Sequence, residues 1–194
     1  MTTQPQSTAP NATETSQVID RQQAISQIAD FIMDNSTWML TTSGSDHVIR
    51  SRPMLNVNEK FDGELYLFTK TNDNMVCSIN ENPQSNIVIS EPNNHRYVSV
   101  TGKAKHINDA KKLELLWNDR CRKWFGLEQP DESIAVIRFD VDAAEYWDTS
   151  QNLFGRIGNF FSGSVPSMDN VKHSVVEWNP NGSISETSLS QKRS

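Results

Sequence analysis

The sequence predicts a mainly β domain, with about six antiparallel strands curled into a small closed or half-closed barrel and helices filling the gaps. Three observations point there. Short apolar runs follow one another closely, separated by Gly, Asn, Asp and Ser clusters that read as turns. Tyr97–Ile107 alternates cleanly, with Val98, Val100, Gly102 and Ala104 on one face and Tyr97, Ser99, Thr101, Lys103 and Lys105 on the other. The 194 residues suffice for one domain with a sizeable core, yet a hydrophobic content of 36% is low for a chain that folds from end to end.

The elements follow in order. Residues 1–16 are mostly Thr, Ser, Pro, Gln and Asn, too polar to offset ordering entropy, and read as a disordered tail. Val18, Ile25, Ile28, Ala29 and Ile32 recur at helical spacing up to Asn35. Thr37–Thr42 reads as a strand and Ser43–Asp46 as its turn; Val48–Leu55 is the second strand. Asn58–Gly63 looks like a hairpin turn leading to a third strand, Glu64–Thr69. A short helix over Asn72–Asn80 sets Met75, Val76 and Ile79 on one side. Ser85–Ser90 and Tyr97–Ile107 are the next strands. Behind a cap at Asn108 or Asp109, one helix places Leu113, Leu116, Trp117, Cys121 and Trp124 at core spacing. Strands Ile134–Phe139 and Ala144–Trp147 then close a domain spanning 17–149. In the remaining extension, 150–194, Leu153–Phe161 could form an amphipathic turn or two and Ser174–Trp178 a strand. Residues 180–194 read as disordered.

Composition removes several function classes. A net charge of -6 without any basic run argues against nucleic acid and membrane surfaces as partners. The amino terminus has no charged n-region or apolar h-region, no run is long enough to span a bilayer, and a cytoplasmic protein is expected. The sequons at Asn11, Asn35 and Asn181 are then incidental. Cys77 and Cys121 read as free thiols. His47, His95, His106 and His173 show no metal-ligand spacing, and no metal is expected. Nucleophile elbow, Walker loop and G-x-G-x-x-G are all absent. Either the chain does no chemistry or a bound cofactor does it.

One stretch asks for a ligand. In VIRSRPML, Val48–Leu55, strand alternation puts Arg50, Arg52 and Met54 on one face. Two guanidiniums about 7 Å apart in an apolar segment need an anion nearby. Surface carboxylates such as Glu64 are one possibility.

Five segments suggest another: Ser51–Met54, Leu65–Thr69, Ile79–Pro83, Tyr97–Ala104 and Ala144–Asp148. In this order and spacing the chain resembles the FMN-binding split barrels related to pyridoxamine 5'-phosphate oxidase, and more narrowly their general stress protein branch, from about Ala24 to Asp148. The resemblance implies an antiparallel split barrel binding FMN, with FAD as the other flavin, in a homodimer whose two clefts lie between subunits. It implies that Arg52, in Arg50-Ser-Arg52-Pro53-Met54, faces the flavin phosphate, which Arg's rigid fork suits. Thr69 of the Phe68-Thr69 pair, with Lys70 beside it, would reach the same phosphate. Two departures stand out. Asn74 and Met75 occupy the place of a basic pair, and Tyr97 stands where the oxidases use Gln. Trp147 is placed near the partner subunit and the flavin. The implied function is a flavin-dependent oxidoreductase in stress response. Oxidation of pyridoxamine phosphate itself is not expected, because no Arg-x-His follows Trp147. Two alternatives remain: a non-catalytic flavin-binding or sensing protein, and a scaffold that has lost its cofactor.

Overall fold

The computed structural model describes residues 21–148 and 172–177. The tail 1–16, the start of the first helix near Val18, the turns expected over 153–161 and the stretch 180–194 lie outside the described residues. Among the described residues, seven antiparallel strands form one curled sheet: β1 (Thr37–Ser43), β2 (Ile49–Leu55), β3 (Glu64–Lys70), β4 (Gln84–Glu91), β5 (Arg96–Ile107), β6 (Ile134–Asp148) and β7 (Lys172–Glu177). Their order is β2-β1-β4-β5-β6-β3, with β7 also on β6. The fold is the mainly β split barrel expected, and β7 shows that the stretch read as an extension contributes a strand to the sheet.

The helices are α1 (Arg21–Asp34), α2 (Asn74–Glu81), α3 (Ala110–Leu116) and α4 (Asp119–Phe125). Ile28, Phe31 and Ile32 of α1 join Trp38, Leu40, Leu65, Leu67, Met75, Ile87, Val98 and Phe139 in the main core. A second, smaller core lies under α3 and α4, where Leu113, Leu116 and Cys121 meet Leu55, Phe68, Ile134 and Val136. Strand alternation explains the division. Met54 points to the first core and its neighbour Leu55 to the second, as do Leu67 and Phe68 on β3.

Three local readings need correction. Asn58–Gly63 is no hairpin turn, because β2 pairs with β1 and β3 with β6. The segment instead joins the two ends of the sheet. Buried Asn58 does the work of a missing strand: Tyr66 N–H donates to its Oδ1 at 2.7 Å, and its Nδ2 donates to Tyr66 O at 2.9 Å. Its neighbour Asn56, also buried, donates to the carbonyls of Ile32 and Asn35 at the end of α1.

The two closing strands are one. β6 runs unbroken from Ile134 to Asp148, pairing with β3 over 134–140 and with β7 over 143–148 along the same edge. Its register against β5 shifts between Thr101 and Gly102, leaving Asp142 unpaired. This bulge reverses which residues face inward, from Ile137, Phe139 and Val141 before it to Ala144 and Tyr146 after it. The broken alternation is what made one strand look like two. Gly102 is required there, since a Cβ would lie 2.3 Å from Asp140 O and 2.7 Å from the Phe139 ring.

The single helix expected after Asp109 is two. Asp109 caps α3, but Trp117 and Asn118 turn extended, and the Asn118 side chain accepts from Arg120 N at 3.0 Å and Cys121 N at 3.2 Å. Asn favours such a cap over a helix interior. The break rotates α4, so Trp124 is 47% exposed rather than core.

Candidate functional site

β2 and β3 end the sheet without pairing to each other, and a cleft of about 440 Å³ opens between them. That volume suits a small ligand. β2 contributes Arg52, Pro53 and Met54; β3 contributes Phe68, Thr69 and Lys70. Asn72 and Asp73 supply the floor ahead of α2, and Trp124 and Phe125 at the end of α4 supply a wall. Trp117 holds that wall in place, stacked between Phe68 at 6.1 Å and Phe125 at 5.6 Å.

The charged groups converge at the amino terminus of α2. Arg52 donates from Nη1 to Thr42 Oγ1 at 3.1 Å, and its Nε lies 3.8 Å from Asp73 Oδ1, an ion pair too long for a hydrogen bond. Thr69, buried, donates its hydroxyl to Asp73 Oδ2 at 3.2 Å. Asp73 is the N-cap of α2 and accepts from Met75 N at 2.7 Å. Lys70 is exposed at the cleft rim. A guanidinium, a hydroxyl and a helix amino terminus are aimed at one point, and the Asp73 carboxylate occupies it.

Arg50 has a different setting. It leaves the cleft to a bidentate pair with Asp46 in the β1–β2 turn, at 2.7 and 3.1 Å. The Arg50 hydrogen bond, helped by the Val48 N–H, holds the Asp46 carboxyl down at about 2. Glu64, the other carboxylate considered for these arginines, accepts from the Tyr66 hydroxyl at 2.9 Å.

The cleft thus brings together Arg52, Pro53, Met54, Phe68, Thr69 and Lys70. Four other expected site residues line different surroundings. Asn74 is exposed at the first position of α2, outside the cleft lining. Met75 is fully buried in the main core. Tyr97, 38% exposed, and Trp147 face each other across β5 and β6, with β1 and β4 between them and β2. The sequence reading missed Asn72, Asp73, Trp124 and Phe125. An Asp just ahead of the apolar run Met75-Val76 is an N-cap signal that would have marked Asp73. Among the described residues, no cluster of His, Cys, Asp and Glu could hold a metal.

Comparison with known proteins extends this geometry. The model of the family described as pyridoxamine 5'-phosphate oxidase like matches residues 23–166. No curated protein matches the sequence. Among solved structures, the fold is similar to a Clostridium acetobutylicum protein related to general stress protein 26 of the pyridoxine phosphate oxidase family. The TM-score is 0.59 at 20% identity, covering 68% of this chain and 92% of that one. General stress protein 26 from Bacillus anthracis aligns with a TM-score of 0.54 and 23% identity over 63% of this chain and 92% of its own. A pyridoxamine 5'-phosphate oxidase-related, FMN binding protein from Nostoc punctiforme reaches 0.59 at 14% identity, covering 87% of this chain and 95% of that one. The fold is common to all three, the family model spans most of the sequence, and this chain belongs to the pyridoxamine 5'-phosphate oxidase like family.

Proposed function

We propose that this chain is a cytoplasmic FMN-binding protein, acting as a homodimeric flavin-dependent oxidoreductase in stress response. One observation carries the reading: Arg52, Thr69, Lys70 and the amino terminus of α2 converge on the cleft between β2 and β3. A guanidinium fork, a hydroxyl, an ammonium and helix amides fit a phosphate. When bound, a flavin would supply the electron-transfer chemistry that no side chain here offers. The chain's own part is to hold the phosphate with Arg52 and Thr69, to shape the cleft with Met54 and Phe68, and to offer the half-exposed Trp124 ring as a stacking face.

The outer face of the sheet supports a dimer. Pro53, Met39 and Val88 form one cross-strand row through β2, β1 and β4, with Met39 40% and Val88 39% exposed. Ile49 and Tyr97 flank the row, at 72% and 38% exposure. Such an apolar patch suits a two-fold contact. Tyr97 and Trp147 do not line the cleft of their own chain, so a flavin role for them would run through the partner.

The test begins with the colour and flavin absorbance of the purified protein, then addition of FMN, then NADH or NADPH oxidation with an acceptor. Yellow protein with turnover is expected. Flavin bound without turnover would favour a binding or sensing role, and no binding at saturating FMN would leave only the scaffold. Light scattering after size-exclusion chromatography is expected to give a dimer at micromolar protein; a monomer would remove the shared site.

A further inference from the structure

Three of the donors that a phosphate would use in this cleft, the Arg52 guanidinium, the Thr69 hydroxyl and the Met75 amide, already face a carboxylate of the chain itself. Asp73 Oδ1 takes the second amide of α2, from Met75, at 2.7 Å and lies 3.8 Å from Arg52 Nε; Oδ2 takes the Thr69 hydroxyl at 3.2 Å. The backbone fixes the carboxylate there, because Asp73 N donates to Lys70 O at 3.0 Å in the turn between β3 and α2. Among the described residues, the only cations lining the cleft are Arg52 and Lys70, and Lys70 is exposed to solvent. One unit of positive charge is therefore left to meet a phosphate dianion.

We infer that Asp73 is an internal anion that sets the ligand preference of the cleft, cancelling the advantage that a phosphate group would otherwise give. This rests on the flavin-binding reading for its ligand, but the charge reasoning applies to any phosphate. A phosphate entering the site must either share Arg52, Thr69 and the helix end with a like charge within hydrogen-bonding range or displace that charge from its cap. In a partly buried site, both routes oppose binding. The wild-type protein then binds FMN no more than about threefold better than riboflavin, which lacks the phosphate. Neutralising residue 73 restores the preference.

Fluorescence-quenching titrations of FMN and riboflavin into the wild type, Asp73→Asn and Asp73→Ser test this. Asn and Ser are N-cap residues as good as Asp, so α2 keeps its cap and both variants fold. FMN should bind at least tenfold tighter to both variants than to the wild type, with riboflavin affinity unchanged. Melting curves with inorganic phosphate supply a readout independent of flavin: phosphate should raise the melting temperature of Asp73→Asn and leave the wild type unmoved. Equal FMN affinity in all three proteins would overturn the role of Asp73 while leaving the flavin reading intact. A phosphate shift in Asp73→Asn without flavin binding to any protein would do the reverse. A wild type that already prefers FMN to riboflavin by a hundredfold would also overturn the inference.

Discussion

Arg50 and Arg52 stand two residues apart on the same face of the same strand, and they do different work. Arg50 lies near the β1–β2 turn, 43% exposed, and chelates Asp46 four residues back. Arg52 lies one rung further in, 22% exposed, and its partners come from separate places: Thr42 on β1 and Asp73 ahead of α2, the carboxylate that Thr69 of β3 also meets. A local pair is set by the chain's own spacing. A cleft arginine is set by everything that curls around it. The same residue type on the same face therefore has a surface role at one position and a site role at the next.

The largest expected effect comes from asking whether the cleft can take another cation. If Met75 occupied a phosphate-facing position, Met75→Lys would tighten FMN. Its side chain is fully buried among Ile79, Leu40 and Leu67, and an ammonium there has no partner. Thermal and denaturant unfolding should show a loss of about 3 kcal/mol or more with no gain in flavin affinity. A stable variant with tighter FMN would move the phosphate to that helix position and dissolve the contrast between the arginines.

Next in size is the contrast itself. Arg52→Ala removes the cation that balances Asp73, so FMN should weaken ten- to hundredfold, about 1.5–3 kcal/mol, and fall below riboflavin. Arg50→Ala should change FMN affinity by less than about twofold. Equal, small effects would reduce both arginines to surface ion pairs. Trp124→Ala addresses the opposite wall. Losing a stacking face should cost about 0.5–1.5 kcal/mol, two- to tenfold, for FMN and riboflavin alike, since the ring system is common to both. A loss confined to FMN would place the phosphate rather than the ring beside Trp124.

The smallest effect is electrostatic and belongs to the turn. The Asp46 carboxyl is depressed from 3.8 to about 2 by Arg50, so its contribution to stability is present above about pH 4 and fades as pH falls towards 2. A carboxyl titration followed by NMR should find it low in the wild type and near its ordinary value in Arg50→Ala. High salt should shrink the difference, because the pair is exposed.

Much of this was legible in the sequence. The first five strands lie within a residue or two of their expected ends; β1, β4 and β5 each bury one face, so that a period of two survives in the residue order. The short helix ahead of β4 was legible for the same kind of reason, with Met75, Val76 and Ile79 all buried. Six cleft residues, from Arg52 to Lys70, were legible through family resemblance rather than through spacing. Asp73 was not singled out, because a lone Asp at a helix start reads as a cap and nothing more. Its second role exists only because β2 and β3 bring Arg52 and Thr69 to the same carboxylate.

By itself, then, the sequence determined the first five strands, the short helix ahead of β4 and the presence of two arginines in want of an anion. These are local properties, written in alternation and in charge. The tertiary structure decided which anion Arg52 meets. It also decided that 58–63 spans the open ends of a sheet, that β6 continues through a bulge and that Trp124 faces a cleft instead of a core. All of these depend on contacts between residues distant in the chain, and where β6 bulges against β5, Gly102 leaves no room for a side chain.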